Sequence, residues 1–290
     1  MNDDVYRFQV GHLQCTAISD GTLTYAPPAF PPAAVFLFAN APKDALDAAA
    51  SSYGVPTQGW REWTSTYTCL LINTGKNLIL VDTGAGSLAP STGRLVKNLR
   101  SEGISPQDID MVVLTHAHPD HVGGITNAEG QLVFPAARYF IGKTEWDFWM
   151  SGEAEARLDQ HSRDMLVGIA RRSLGPIKGR LEAIDTEAEI VSGVGTVAAP
   201  GHTPGQMGLT VSSEGQTLLC VSDVVLHPIH LEHPEWHAAV DTDPAQTKVT
   251  RDTLLHKASV EQSLVFAFHL PFPGLGHVAQ KGPTWKWQPL

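Results

Sequence analysis

Residues 115–121 read Thr115-His116-Ala117-His118-Pro119-Asp120-His121 and place three imidazoles and one carboxylate within six positions. Histidine nitrogens and carboxylate oxygens are ligands of zinc and related divalent ions. His116 and His118 are two residues apart, so in an extended turn both can face one cation. Asp120 and His121 can then face a neighbouring cation. The stretch therefore predicts a site for two metal ions.

Thr115 ends a short apolar run, 111–115, that is typical of a buried strand and leads directly into the histidines. Three further candidate ligands lie next to predicted strands elsewhere in the chain: His202, Asp223 and His269. Loops at the ends of neighbouring strands can meet at one sheet edge, although these residues are distant in sequence. Five histidines and two carboxylates suit two metal ions with Asp223 bridging them.

Apolar periodicity and turn residues predict further strands and helices along the whole chain. A hairpin is expected over 5–23, and strands over 66–73, 77–82, 132–141, 190–199, 206–211, 216–223 and, last in the chain, 263–268. Helices are expected over 91–102, from 144 to about 172, and from Asp243-Pro244 to 258, where aspartate and proline give an N-cap and N1 pair. No linker or repeat interrupts the chain, so one domain over residues 1–290 is predicted.

Composition excludes several classes of protein. The net charge is −10 and the pI is about 5.7, so the basic surface that nucleic-acid binding needs is missing. Cys15, Cys69 and Cys220 form no CxxC pair, which argues against a disulfide framework and a thiolate zinc site. The chain starts without a basic segment followed by an apolar one, and no long apolar stretch follows. We therefore expect a cytoplasmic protein without a membrane partner.

These motifs resemble the metallo-β-lactamase fold superfamily of hydrolases. Residues 115–121 match its signature, and the likeness extends from Leu78-Ile-Leu-Val-Asp-Thr-Gly-Ala-Gly86 to the tail. The resemblance implies a four-layer αββα sandwich, an α/β fold in which helices flank two mixed β-sheets. It also implies one metal on His116, His118 and His202, the other on Asp120, His121 and His269, and Asp223 between them. Asp82 is expected to hydrogen-bond a ligand imidazole.

A closer resemblance is to the methyl parathion hydrolase subgroup. It is carried by segments outside the general signature, namely 132–135, 147–149, 200–205 and 269–277. Related acyl-homoserine lactonases carry a substrate-contacting tyrosine three residues after the bridging aspartate, where this chain has Leu226. His227 is a candidate for a polar role beside it. Together these features predict a substrate pocket with four wall residues: Trp149, Leu226, His227 and Phe272.

The family likeness predicts a hydrolase with two zinc ions and a metal-bridging hydroxide as nucleophile. Asp120 and Asp223 are the predicted catalytic carboxylates. The expected substrates are small neutral, apolar esters, either aryl esters or lactones, with organophosphate triesters as a side activity. Ligand type alone also suits Mn, Fe or Co.

Two alternatives remain open at this level. One is a mononuclear iron persulfide dioxygenase of the same superfamily, and the other is a non-catalytic metal-binding protein. The apolar, proline-rich segment 25–38 is expected to cover either the core or a second subunit, so a homodimer is one hypothesis. The histidine-rich stretch 227–237 is interpreted as a surface loop, because its prolines disfavour a helix.

Overall fold

Two seven-stranded β-sheets are present in the computed structural model, which describes residues 2–55, 59–158 and 160–290. The strands of the first sheet lie in chain order: β1 (Val5–Val10), β2 (Leu13–Tyr25), β3 (Trp63–Asn73), β4 (Leu78–Val81), β5 (Met111–Leu114), β6 (Arg138–Gly142) and β7 (Leu181–Ile184). The second sheet contains β8 (Glu189–Val191), β9 (Val194–Ala198), β10 (Met207–Ser213), β11 (Gln216–Cys220), β12 (Leu264–Phe266), β13 (Leu275–Lys281) and β14 (Thr284–Pro289).

Both sheets are mixed. In the first sheet, β1 to β4 pair antiparallel and β4 to β7 pair parallel. In the second sheet, β11 and β12 are parallel, and the other neighbours are antiparallel. Parallel neighbours need long crossovers, which bring helices onto the outer faces of the sheets.

Helices occupy the connections and cover the outer faces. In the described residues they are α1 (Ala33–Leu37), α2 (Lys43–Ser52), α3 (Leu95–Ser101), α4 (Pro119–Val122), α5 (Lys143–Met150), α6 (Glu153–Arg157), α7 (Gln160–Ser162), α8 (Gly168–Leu174), α9 (Ile229–Glu232) and α10 (Pro244–Val260). Helix α10 begins as predicted, because the Asp243 side chain accepts a hydrogen bond from the backbone N–H of Gln246 at 3.0 Å.

The alternation of side chains along the central strands divides the core into layers. On β11, Leu218 and Cys220 pack between the two sheets, whereas Leu219 faces the cluster that includes Leu254 of α10. Both faces of such a strand are buried, which explains the nearly continuous apolar runs seen in the sequence. The predicted four-layer arrangement with two mixed sheets is confirmed.

The proline-rich segment packs on its own chain. Tyr25 lies 4.6 Å from Phe30, 4.8 Å from Phe36 and 5.1 Å from Trp63, measured between ring centroids. Phe36 and Phe38 are 7% and 2% exposed. These two side chains are therefore not available to a second subunit, and a homodimer stays a prediction without their support.

The strand predicted over 263–268 is present as β12, but it is not the last strand of the chain. Residues 263–268 were predicted to form the last strand, but the hairpin of β13 and β14 follows β12. The hairpin turns at Gly282, whose φ of 62° lies in the left-handed region that glycine adopts without strain. Among the described residues, no helix combines the length and apolar character that a membrane span requires.

Candidate metal centre

The signature stretch forms the end of a strand and the start of a short helix. His116 follows β5 after one residue, and His118 is the N-cap of α4. Asp120 and His121 lie within α4, whose first position is Pro119. Proline is favoured at this position because it has no backbone N–H, and an N–H in the first turn of a helix has no hydrogen-bond partner within the helix. This arrangement turns all four polar side chains toward the same end of the sheet.

The three distant candidates reach the same place from the second sheet. His202 lies in the loop between β9 and β10, Asp223 in a 3-10 turn after β11, and His269 shortly after β12. Ser222, before Asp223, has a φ of 49°, in the left-handed region where glycine is favoured. The seven predicted ligands form two adjacent groups, in each of which the ligand atoms lie within 4.8 Å of one another.

The first group contains His116, His118, His202 and Asp223. Nδ1 of His118 lies 3.1 Å from Nε2 of His116 and 2.9 Å from Nε2 of His202. Oδ2 of Asp223 lies 3.7 Å and 3.4 Å from the same two nitrogens of His116 and His202. Two nitrogen ligands of one tetrahedral zinc ion stand about 3.3 Å apart. These four atoms therefore surround a space suited to one ion.

The second group contains Asp120, His121 and His269. Oδ2 of Asp120 lies 3.8 Å from Nε2 of His121 and 3.4 Å from Nε2 of His269. Asp223 reaches this group too, with Oδ1 at 3.3 Å from His121 Nε2 and Oδ2 at 3.0 Å from His269 Nε2. Its carboxylate therefore lies between the two groups, as the bridging role requires.

Unpaired buried atoms show that the donor set fits metal ions. Among the described residues, Nε2 of His121 and Oδ1 of Asp223 are buried without a hydrogen-bond partner. Such atoms are rare in folded proteins unless an ion or water completes them. Burial lowers the pKa of His116 and of His118 well below the usual value, which favours the neutral imidazole that a metal requires. At His121 and His202, neighbouring carboxylates outweigh burial and raise the pKa.

The opposite ring nitrogens of four candidate ligands are held by hydrogen bonds. Nδ1 of His121 donates to Oδ2 of Asp82 at 2.8 Å, as predicted for Asp82. The other three contacts of this kind are His116 with Thr115 Oγ1 (3.1 Å), His202 with Asp241 Oδ1 (2.7 Å) and His269 with Ser65 Oγ (2.7 Å). Such contacts fix the orientation of each ring and raise its basicity. Sequence reasoning missed Ser65 and Asp241, which carry no local motif.

Glu145, another residue missed from the sequence, joins two ligand loops beneath the centre. Its side chain is fully buried, and burial raises the pKa of its carboxyl. One oxygen accepts the N–H of Ala117 at 3.0 Å and Nε1 of Trp149 at 2.6 Å. The other accepts the Thr203 hydroxyl at 2.7 Å and the N–H of Gly205 at 3.1 Å. The loops that carry His118 and His202 are thereby tied to one carboxylate.

A cavity of about 450 Å³ opens above the two groups. Five of the predicted ligands line it, namely His118, Asp120, His202, Asp223 and His269. The other described lining residues are Leu23, Tyr25, Ala29, Phe30, Pro31, Phe36, Trp63, Leu88, Pro119, Ser162, Met165, Leu166, Ile169, Leu226, Ala239 and Val240. Most of these residues are apolar, with a few donor groups among them. No lysine or arginine is present among the described lining residues.

Of the four predicted pocket residues, only Leu226 lines this cavity. Trp149 is fully buried, packs 5.7 Å from the ring of His118, and cannot contact a substrate. Phe272 packs against the core between the sheets, and His227 faces a neighbouring groove instead. These three predictions are corrected, because proximity to a motif in sequence does not determine which way a side chain points.

The histidine-rich stretch 227–237 is not a simple surface loop. It contains helix α9, and His230 within that helix is fully buried. Nε2 of His230 lies 2.9 Å from the carbonyl oxygen of Leu37, and its ring packs on Phe38. The prolines shorten the helix without excluding it, since Pro228 occupies its N-cap position.

Comparison with known proteins places the chain in a family. The model of the metallo-beta-lactamase superfamily matches residues 65–269, and the chain belongs to this superfamily. An N-acyl homoserine lactonase of a Bacillus species is 26% identical over 223 residues, covering 69% of this chain and 80% of the relative. The corresponding enzyme of Bacillus thuringiensis is 24% identical with the same coverage.

Two solved structures share the fold over their full length. One is AidC, a dizinc quorum-quenching lactonase in complex with a product, at a TM-score of 0.89 and 29% identity, covering 100% of this chain and 99% of the other. The second is AbOPH, a hydrolase in the beta-lactamase superfamily, at a TM-score of 0.88 and 27% identity, covering 100% and 98%. The predicted membership of this superfamily of hydrolases is confirmed.

Proposed function

We propose that this chain is a dinuclear zinc-dependent hydrolase of neutral, apolar lactones and esters. The observation that carries the proposal is a donor set for two divalent ions at the floor of an otherwise apolar cavity. A structural zinc site is closed by protein ligands, whereas a catalytic one keeps an open position. The open floor therefore favours catalysis over a purely structural metal site.

The cavity wall favours uncharged substrates. Among its described lining residues no lysine or arginine is present to bind a carboxylate or a phosphate monoester. Its volume of about 450 Å³ suits a small molecule with an apolar chain or ring. The relationship to N-acyl homoserine lactonases supports a lactone as substrate. Aryl esters and organophosphate triesters are also neutral and apolar, so they belong in the same panel of test substrates.

The candidate ligands would hold two metal ions. His116, His118 and His202 would hold one ion, Asp120, His121 and His269 the other, and Asp223 both. When bound, the ions supply Lewis acidity and lower the pKa of water, so that hydroxide is available near neutral pH. Imidazoles and carboxylates suit zinc, and also Mn, Fe or Co.

The protein's own residues position the reactants. Asp120 lines the cavity and is the proposed carboxylate for orienting the attacking water. The hydrogen bonds from Asp82 and Asp241 fix the ligand imidazoles, so the centre needs little rearrangement during the reaction. The apolar wall excludes bulk water, which strengthens every electrostatic interaction at the floor.

A second group of ligands distinguishes this proposal from a mononuclear iron dioxygenase. One iron would need only part of the set, whereas Asp120, His121 and His269 form a second cluster beside the first. Buried carboxylate and imidazole groups are costly to retain without a partner.

The test is metal content by elemental analysis together with hydrolysis of N-hexanoyl-homoserine lactone, dihydrocoumarin, 4-nitrophenyl acetate and methyl paraoxon. We expect about two zinc ions per chain and turnover of a lactone or ester, following the site's ligand count. Asp223→Ala should abolish both, whereas Asp252→Ala, which removes an exposed carboxylate paired with Lys248, should preserve both. One iron per chain without any hydrolysis would refute the proposal.

A further inference from the structure

Two tyrosine hydroxyl groups meet beside the cavity. Tyr25 ends β2, Tyr67 lies on β3, and their Oη atoms are 2.6 Å apart. Tyr25 is 8% exposed and lines the cavity, whereas Tyr67 is fully buried. The ring of Tyr67 packs edge-on against His269, at 5.6 Å between centroids. The pair is therefore next to the metal centre without belonging to its donor set.

The available hydrogens and acceptors determine which of the two tyrosines donates the hydrogen bond. Each hydroxyl carries one hydrogen, and only one of the two can lie between the oxygens. The structure records no other hydrogen-bond partner for Tyr67 Oη among the described residues. If Tyr25 donated, the Tyr67 hydrogen would be buried without an acceptor, which is unfavourable. The favourable arrangement has Tyr67 donating to Tyr25, which leaves the Tyr25 hydrogen available to the cavity.

The surroundings keep this hydrogen in place. Burial raises the pKa of Tyr25 well above its usual value, and the charge of Asp120 acts in the same direction. The ring is held by its stack on Trp63, at 5.1 Å and an interplanar angle of 26°. Tyr25 is thus a neutral, oriented donor that lines the same cavity as Asp120. Leu226, by contrast, contributes no donor to the wall.

We propose that Tyr25, oriented by Tyr67, donates a hydrogen bond to the leaving-group oxygen of the substrate. This inference rests on the proposed hydrolase function. In hydrolysis, the water oxygen bonds to the carbonyl carbon, the carbon–oxygen ester bond breaks, and its electron pair stays on the leaving oxygen. A hydrogen from the water finally neutralises that oxygen, and Tyr25 stabilises its negative charge until then.

The wall position of Tyr25 explains the choice of oxygen. Metal ions held at the floor would supply Lewis acidity to the carbonyl oxygen, which would leave the leaving-group oxygen to be stabilised from the wall. Tyr25 would then be a catalytic residue, because it touches the substrate. Tyr67 would be a positioning residue, because it acts only through Tyr25.

The kinetic test compares two leaving groups in the zinc-loaded enzyme. For N-hexanoyl-homoserine lactone, whose leaving alkoxide is a strong base, Tyr25→Phe should lower kcat by about 100-fold. For 4-nitrophenyl hexanoate, whose leaving oxygen disperses its charge into the ring, the loss should stay below about threefold, because little charge remains to be stabilised. Tyr67→Phe should give a smaller loss on the lactone. Tyr139→Phe, which removes a buried hydroxyl bonded to the carbonyl of Phe134, is the matched control.

A binding measurement tests the contact without turnover. Calorimetry would compare N-hexanoyl-homoserine, which carries the leaving-group hydroxyl, with N-hexanoyl-2-aminobutyrate, which lacks it. Tyr25→Phe should weaken binding of the first ligand about tenfold, the effect of losing one good hydrogen bond, and leave the second unchanged. Metal content should be the same in all variants.

The outcomes separate the two proposals. If the wild-type enzyme with two zinc ions hydrolyses no lactone or ester, the proposed function fails. If the wild type is active and Tyr25→Phe keeps the lactone kcat within twofold, or slows both substrates equally, the tyrosine proposal is overturned. Equal weakening of both calorimetric ligands would also overturn it, because such a loss reports packing rather than a hydrogen bond.

Discussion

Nδ1 of His202 lies 2.7 Å from Oδ1 of Asp241, and both side chains are almost completely buried. The contact crosses from the loop after β9 to the segment before α10. It holds the imidazole with Nε2 facing His118 and Asp223. A carboxylate behind a ligand imidazole increases metal affinity, because it fixes the ring and makes the ligand nitrogen more basic.

Removing this carboxylate should weaken metal binding. We expect Asp241→Asn to raise the dissociation constant of the zinc ion that His116, His118 and His202 would hold by about 10-fold to 100-fold. Competition with a chromogenic chelator would measure it. Asp252→Asn removes an exposed carboxylate on α10 and should leave affinity unchanged. Equal zinc affinity in Asp241→Asn and the wild type would show that the contact does not act on the metal.

Glu145 should contribute to stability through its four hydrogen bonds. Glu145→Gln replaces one carboxylate oxygen by an amide NH₂ group, which cannot accept a hydrogen bond. The two buried donors that face this group then lose their acceptor. Two such losses cost about 2–5 kcal/mol in the free energy of unfolding, which denaturant titration would measure. Glu182→Gln, on an exposed ion pair with Arg138, should change stability by less than about 0.5 kcal/mol. Similar stabilities for the two variants would contradict this role.

Ser222 should be replaceable by glycine with a gain in stability. Its φ of 49° is strained for a residue with a side chain, and its hydroxyl is buried without a partner among the described residues. Ser222→Gly removes both penalties, and we expect a gain of about 1–2 kcal/mol in the free energy of unfolding. Ser222→Ala removes the hydroxyl alone and should recover only part of the gain. A glycine variant less stable than the alanine variant would argue against backbone strain.

Of the seven candidate ligands, the four within residues 115–121 could be predicted from sequence because their signal is local. His202, Asp223 and His269 lie a few residues beyond the ends of β9, β11 and β12, and the resemblance to a family was needed to single them out. Strand order could not be derived in this way, since periodicity shows which residues are buried but not which strands pair. The arrangement of the layers came instead from resemblance to a family.

Apart from the contact of Asp82, the contacts that support the candidate ligands could not be predicted, because they are made by the tertiary structure. Asp241 is 39 residues from His202, and Ser65 is 204 residues from His269. Nothing in the sequence around either residue differs from an ordinary loop or strand. Trp149 illustrates the opposite error. Its position near a segment that resembles the family suggested a pocket wall, whereas α5 directs its side chain into the core.

The apolar cavity should make activity depend on acyl-chain length. Each methylene buried against Phe36, Met165 or Ile169 contributes about 0.8 kcal/mol, which corresponds to about fourfold in kcat/KM. A series of N-acyl homoserine lactones from butanoyl to decanoyl would measure the slope until the cavity is filled. Ile169→Asn should flatten it, whereas Val249→Asn, at an exposed position on α10, should not. A slope of zero in the wild type would show that the chain binds elsewhere.

His227 provides a test of pH dependence away from the metal ligands. Its ring lies among the rings of Phe38, Tyr53 and Trp60, and Nδ1 accepts the backbone N–H of Ile229 at 3.2 Å. A protonated ring would lose this acceptor. Burial lowers the pKa of His227 to about 3, whereas an unfolded histidine titrates near 6.5. Below about pH 6.5, His227 is therefore protonated in the unfolded state while it is still neutral in the folded state.

The stability contribution of His227 is thus complete above about pH 6.5 and is lost as the pH falls toward 3, by up to about 1.4 kcal/mol per pH unit. In His227→Asn, the side-chain oxygen can accept the same N–H from Ile229 without titrating. Urea unfolding of both proteins at equal metal content, between pH 7.5 and 4.5, measures the difference. His230 and the Tyr53–Glu232 hydrogen bond are present in both proteins, so their contributions to stability cancel in the comparison. We expect the wild type to lose stability more steeply than His227→Asn, and parallel profiles would mean that His227 is protonated in the folded protein.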